Sequence, residues 1–410
     1  MTKVLCFSTL YPNGEQPNHG IFVENRLRHT VLTGTVTATV LAPVPFFPFR
    51  SKAFGRYGAF ARVARQETRH EIPVYHPRFP VIPKLGQRWT PHFLYKAARR
   101  KLEQLVSDGY DFDVIDAHYF YPDAVAAGRL ARQFGKPFVV TSRGSDLTEH
   151  ARDPAQRELI LQTASAATAL ITVSASLKAE LERLGVDPDR IAVLRNGVET
   201  DTFRPLPRDE CRKGLGLDAF TILSVGALIP LKAHDIAIRS LVHMPDCHLL
   251  IAGIGPLHGE LERLAGSLGV ASRVTLLGAI PHRELATYYS AADAMVLMSS
   301  REGWANVILE SLACGTPVVA SDVGGVREII RDPVAGMIVT ERQPESLAAA
   351  ISRLRAALPS RVATRRYAEA FGWEPVASAN ARLLTAASRS TQPMKNVASD
   401  FTVHGPQSPT

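Results

Sequence analysis

Cysteine is scarce in this chain. Cys6, Cys211, Cys247 and Cys314 are the only four in 410 residues, and no two lie close together. That spacing excludes a disulfide framework, a paired-cysteine zinc site and a dithiol redox motif; the four read as small buried apolar residues. Long apolar runs are missing as well. None approaches the roughly 18 residues that a membrane-spanning helix needs. The first ten residues reach Pro12 before a signal peptide's apolar core and cleavage site could be completed, so a cytoplasmic protein is expected. Disorder over most of the length is excluded by composition: 46% of residues are apolar and 21% charged, the balance of an ordinary globular chain, long enough for two or three domains.

Acidic residues are nearly absent from one stretch. Between Arg50 and Lys101 thirteen Lys and Arg face two acids, Glu67 and Glu71, although the whole chain carries a net charge of only +8. The same region holds Phe46, Phe47, Phe49, Phe54, Phe60, Trp89 and Phe93. Basic residues interleaved with aromatics suit an anionic membrane surface, a phosphate-bearing substrate or single-stranded nucleic acid. The plainer reading is a solvated basic face around a few core rings. No nucleic-acid-binding motif accompanies the patch, so a nucleic-acid partner is not expected.

Short β-branched runs alternate with helical patterns from end to end, which predicts parallel sheets built from strand–helix–strand units. Strands are predicted at Lys3–Thr9, Thr35–Ala42, Asp113–Asp116, Phe138–Ser142, Leu170–Val173 and Ile191–Leu194. A polar, turn-rich stretch from Asn196 to Pro207 marks a boundary. The alternation then restarts, with strands at Thr221–Val225, His248–Ala252, Val274–Leu277, Ala294–Met298 and Val318–Ala320. The expected division is a first domain over 1–200, a second over 201–386 whose final helices cross back to the first, and a disordered tail over 387–410. In such sheets ligands sit beyond the carboxyl ends of the strands, so the chemistry is expected in a cleft between the two halves.

The densest signal is Ser299-Ser-Arg-Glu-Gly-Trp-Ala-Asn-Val-Ile-Leu-Glu-Ser-Leu-Ala-Cys-Gly315. Asn306 is placed as the N-cap of a helix that Gly315 and Pro317 end. Glu302 then lies in the strand–helix loop and Glu310 about a turn inside the helix. A carboxylate there can accept hydrogen bonds from two vicinal ribose hydroxyls. The loop glutamate, together with backbone amides at the helix start, can grip a second polyhydroxyl group or a phosphate. An outward-facing Glu310 fits poorly with Val307, Leu309, Ser311 and Ala313 around it.

This block, with Ala292-Asp293 before it and Gly315-Thr-Pro-Val-Val-Ala-Ser and Gly324-Gly325 after it, resembles the retaining, nucleotide-sugar-dependent glycosyltransferases of family four. The resemblance runs from Val4 to about Trp373. It implies an α/β fold of two facing Rossmann-like, doubly wound parallel-sheet domains (GT-B) with an inter-domain cleft. Ser224-Val-Gly-Ala-Leu-Ile-Pro-Leu-Lys232 is similar to the family's donor loop, in which the lysine meets the diphosphate. By the same resemblance Gly226, Lys232, Glu302, Gly303, Trp304, Asn306, Val307 and Glu310 bind the donor, with Trp304 contributing its loop amides rather than its ring. Gly20 resembles the acceptor-side loop, and Thr141-Ser-Arg-Gly-Ser-Asp146 a string in which Arg143 stands where histidine is usual; the resemblance makes Gly20 and Arg143 the acceptor-side candidates. His118 sits where the family keeps an active-site histidine.

Two further departures are Ala227, where the donor loop usually has arginine, leaving Arg301 or another nearby basic residue to take its place, and Arg195, where proline is commoner. Arg143 and Arg195 point to an anionic ligand. The implied reaction moves a hexose-type sugar from a UDP- or GDP-linked donor to a glycan or lipid-diphosphate-linked acceptor with retention. Glu302, His118 and Lys232 are its catalytic candidates, and it needs no metal and no other cofactor. A protein peripheral to the inner face of a membrane, held through residues 50–101, is the corresponding expectation. The alternatives are a non-catalytic sugar-nucleotide-binding protein and a sugar-nucleotide epimerase of the same fold.

Overall fold

A computed structural model describes residues 1–81 and 87–403. Residues 82–86 of the basic segment and 404–410 of the tail lie outside the described residues. Of the described residues, the first unit comprises Met1–Asn196 and 373–403, and the second comprises Gly197–Gly372.

In the first unit the strands are β1 Thr2–Phe7, β2 Val36–Leu41, β3 Gln66–Arg69, β4 Ile72–Tyr75, β5 Val114–His118, β6 Phe138–Ser142, β7 Ala169–Thr172 and β8 Ile191–Val193. They form one sheet in the order β8-β7-β6-β5-β1-β2-β4-β3. Every pairing is parallel except β3 with β4. The central strands, such as Phe138-Val-Val-Thr-Ser142, are buried along their whole length, as expected for β-branched runs covered by helices on both faces. One face is covered by the helix Trp373–Ser388, whose Val376, Leu383, Leu384 and Ala387 pack with Val4, Val114, Val139 and Ile171.

That helix belongs to the first unit, as do the described residues that follow it. Its apolar stripe fits the first sheet, where Asn380 donates to Thr30 at 3.0 Å and Trp373 stacks on His29 at 5.2 Å. The expected disorder from 387 is corrected up to residue 403. A helix at Val397–Phe401 buries Val397 completely, and the Val403 amide donates to Val193 O at 3.1 Å. The tail lacks periodicity because it is held as an edge strap along β8 instead of as a long amphipathic element.

The second unit has β9 Phe220–Val225, β10 Cys247–Ala252, β11 Val274–Gly278, β12 Ala294–Leu297, β13 Val318–Ser321 and β14 Gly336–Val339. Their order is β11-β10-β9-β12-β13-β14, all parallel. The chain runs outward from β9 in one direction and then restarts beside it at β12, so β9 and β12 flank the point where strand order reverses. Loops leaving their carboxyl ends diverge to opposite faces of the sheet and open a crevice. The four cysteines are buried and free, and burial raises the thiol pKa of each.

Candidate active site

In the second unit, Gly226 directly follows β9 and β12 leads into the loop that carries Glu302. The two loops meet through side chains. Lys232 Nζ donates to Glu302 Oε1 at 2.6 Å, and the Ser300 amide donates to Leu231 O at 2.8 Å. The lysine stem crosses Gly226, where a β-carbon would come within 3.3 Å of its Cγ and Cδ. Gly226 therefore makes room for the lysine that the sequence paired with it. Gly324 backs the other side: a β-carbon there would sit 1.7 Å from Glu302 O. Ala233, directly after Lys232, is held at φ 47°, a left-handed conformation that is costly for any residue with a β-carbon.

His234 completes this loop and carries no signal in the sequence string. It is buried, with Nδ1 2.9 Å from Ser224 Oγ and Nε2 3.3 Å from Ala227 O. A ring nitrogen near a carbonyl must donate, so Nε2 carries the proton and Nδ1 accepts from the serine. Burial lowers its pKa, which keeps the ring neutral and leaves Lys232 as the cation of the loop.

The helix Asn306–Ala313 begins one residue earlier than expected. Asn306 is its first residue and not its N-cap; Ala305 holds that position, and its carbonyl accepts from the Ile308 amide at 3.0 Å. The Trp304 ring is buried, and Gly303 and Val307 flank the same turn. Glu310 is buried rather than outward-facing. Its Oε1 lies 2.9 Å from His282 Nε2, and its Oε2 accepts from Tyr289 OH at 3.0 Å. Phe203 sets its ring edge against His282 at 4.9 Å. No sequence spacing links 203, 282, 289 and 310; only folding brings them together.

In the first unit, His118 is the last residue of β5 rather than a loop residue beyond it, and it is fully buried. Arg143 Nη2 lies 3.0 Å from its Nδ1. A guanidinium only donates, so Nδ1 accepts and the proton sits on Nε2, 3.5 Å from Asp116 Oδ2. Burial lowers the His118 pKa and the neighbouring Arg143 adds to this, against the opposing pull of Asp116. Arg143 is itself buried, bonds Asn196 Oδ1 at 3.0 Å and stacks over Phe22 at 5.2 Å. Burial pulls its pKa down to about 10. Arg26, also buried, donates to the same Asn196 oxygen at 3.0 Å. Asp146 is a scaffold residue: its carboxylate accepts from the amides of Arg143, Gly144 and Phe120 at 3.2, 2.8 and 3.0 Å. Gly20, at φ 70°, caps the helix Ile21–Leu32 and would clash through a β-carbon with Leu10 O at 2.3 Å.

Two cavities of about 540 and 530 Å³ lie in the first unit; neither is lined by any of these residues. Among the described residues no group of three or more His, Cys, Asp and Glu side chains is placed to hold a metal ion.

Residues 22–202 match the family described as Glycosyltransferase Family 4, and residues 208–371 match Glycosyl transferases group 1. A D-inositol 3-phosphate glycosyltransferase of Thermobispora bispora is 35% identical over 306 residues, 67% of this chain and 71% of that protein. The chain is a family 4 glycosyltransferase. The enzyme of the same name from Frankia alni is 36% identical over 299 residues, 66% of this chain and 72% of its own. Among solved structures, sucrose-phosphate synthase from Thermosynechococcus elongatus superposes with a TM-score of 0.78 at 21% identity, covering 94% of this chain and 98% of that one. Anabaena HepE in complex with UDP and glucose gives 0.71 at 19% identity, covering 94% and 100%. This family 4 glycosyltransferase thus has the GT-B fold of two parallel-sheet α/β domains, and its activity class, a retaining glycosyltransferase, is that of the family.

Proposed function

We propose that this glycosyltransferase moves a hexose-type sugar from a UDP- or GDP-linked donor to a hydroxyl of a glycan or lipid-diphosphate-linked glycan. The observation that carries the reading is the Lys232–Glu302 pair at the strand-order reversal, with Glu310 on the helix that follows. Lys232 is a point charge suited to a departing diphosphate, and Gly226 leaves space beside it. Glu302, with the backbone of Gly303, Trp304, Asn306 and Val307, takes the sugar and phosphates. Glu310 accepts from the ribose hydroxyls. His118, held neutral, serves the sugar and acceptor side together with Gly20, and Arg143 sets its ring. The scheme uses positioning and charge stabilisation at the leaving group and calls on neither metal nor another cofactor. The relatives' name, D-inositol 3-phosphate glycosyltransferase, and the UDP and glucose in the HepE complex support a nucleotide-sugar donor.

Incubation with a panel of nucleotide sugars and acceptors, with released nucleoside diphosphate as readout, tests the reading. Turnover with one donor is expected, falling about 100-fold in Lys232→Ala and strongly in Glu302→Gln. Binding without turnover across the panel, or undiminished turnover in both variants, would overturn it.

A bilayer surface is the proposed partner of the basic segment. Phe46, Phe49, Phe54, Tyr57 and Trp89 are exposed there, and Phe47, Phe49, Phe54 and Tyr57 form one cluster with ring centroids 5.3–5.9 Å apart. Exposed rings among Arg50, Lys52 and Arg56 match the interface of an anionic leaflet. Among the described residues no helix is long and apolar enough to cross a membrane. Co-sedimentation with phosphatidylglycerol vesicles at low salt, lost as salt rises, is the expected result; no binding at low salt would return the segment to a solvated face.

A further inference from the structure

Glu310 is not presented by its helix alone. Both carboxylate oxygens are occupied from elements that precede it in the chain: Oε1 by His282 Nε2 at 2.9 Å and Oε2 by Tyr289 OH at 3.0 Å. His282 is held in turn by the edge of Phe203 at 4.9 Å, and Tyr289 by the same ring at 6.0 Å. His282 keeps about 18% of its side-chain surface open, against 9% for Glu310, so the pair stays in touch with solvent on the histidine side.

We propose that His282 is a positioning residue for the nucleoside end of the donor: with Tyr289 it fixes the Glu310 carboxylate in one orientation, and as an imidazolium it cancels that carboxylate's charge. The inference rests on the reading of Glu310 as the ribose acceptor. Two physical reasons favour it. A lone buried carboxylate is costly and would repel an approaching diphosphate. A carboxylate held from both oxygens still has lone pairs free for two ribose hydroxyls, and it is already oriented before the ligand arrives.

The charged groups facing His282 are Glu310, Glu199 from the segment that enters this unit, and Arg283 beside it. Burial lowers its pKa, but Glu310 and Glu199 outweigh burial and Arg283, and the net direction is upward from 6.5. The imidazolium's contribution is therefore full below that ordinary value and is lost as pH rises through the elevated one.

The test is calorimetric binding of UDP and of GDP to the full chain between pH 6 and 8.5, with donor KM and kcat measured alongside. His282→Ala is expected to weaken binding of the preferred nucleotide about tenfold, ~1.4 kcal/mol, raising donor KM while kcat changes less than about threefold. His282→Gln keeps a donor for Glu310 but cannot titrate; it is expected to restore much of the affinity and to flatten its pH dependence. If Glu310→Ala weakens binding while both His282 variants match wild type at every pH, the positioning role is overturned and the ribose reading stands. If Glu310→Ala binds as tightly as wild type, the ribose reading fails and the inference fails with it. A lower yield of active protein with unchanged KM and pH profile would assign His282 to folding alone and would also overturn the proposal.

Discussion

Gly324 and Ala233 show how much of the proposed donor site is decided by single backbone positions. Gly324 has φ 52° and lies against Glu302 O, 1.7 Å from where a β-carbon would be. Gly324→Ala therefore forces the Glu302 loop to move, and is expected to lower both turnover and melting temperature; wild-type kinetics would show that the loop tolerates displacement. Ala233 is the opposite case, a β-carbon held at φ 47° between Lys232 and His234. The strain of roughly 1–2 kcal/mol exceeds the backbone entropy cost of glycine, about 0.5–1 kcal/mol. Ala233→Gly should thus leave stability unchanged or slightly raised in denaturant unfolding, and a clear loss would contradict the strain. The glycine pair at 324–325 was legible as part of a motif; its purpose, supporting a glutamate 22 residues earlier, was not.

Strands built on short, mainly apolar runs were legible to within a residue or two, as β1, β2, β6, β9 and β10 illustrate. Of the three missed, β3 is polar throughout, Gln-Glu-Thr-Arg, and the other two have punctuation inside them. β4 is Ile-Pro-Val-Tyr, with a proline where a strand signal should be. β14 opens at Gly336, φ 124°, where a β-carbon would meet Val318 O at 1.9 Å, so close packing against β13 replaces the usual pattern. Between β1 and the helix Val125–Phe134 lies a contact that no pattern announces. Buried Asp123 accepts from the Thr9 amide at 2.7 Å and from the Thr9 hydroxyl at 3.0 Å. Burial lifts its pKa from 3.8 to about 7, against the Thr9 bonds that lower it. The folded state thus keeps a proton that the unfolded chain releases near pH 4. The stability this supplies is complete below about pH 4 and is lost as pH rises through about 7. In Asp123→Asn this component of the pH dependence should vanish from thermal melts between pH 4 and 8; an identical profile would refute the assignment.

Over the whole molecule, the last described residues decide how the first unit is closed. The helix Trp373–Ser388 supplies part of its core. The strap beyond it is tied by Met394 N to Thr168 O at 2.8 Å and by Thr402 Oγ1, which accepts from the Val193 amide at 3.1 Å. A chain ending at Ser388 should unfold several degrees lower than the full chain, because it leaves the β8 edge unpaired and Val397 missing from the core. An unchanged melting temperature would mean that the strap contributes nothing and that the expectation of a structureless tail was the better description.

Local chemistry was enough for the alternation of strands and helices, the turn-rich stretch from Asn196 to Pro207 between the two sheets, and the block from Ser299 to Gly315, because periodicity, caps and turn residues act over a few positions. The family resemblance added Gly226 and Lys232 in register. The partners were decided by folding alone: Glu302 against Lys232, Glu310 between His282 and Tyr289, His118 against Arg143, and the C-terminal helix on the first sheet. These pairs are separated by 21 to 70 residues or more. No short-range rule reaches that far. They form only because parallel strands need crossovers, and each crossover returns the chain to the same edge of its sheet, where side chains distant in sequence come within hydrogen-bonding distance.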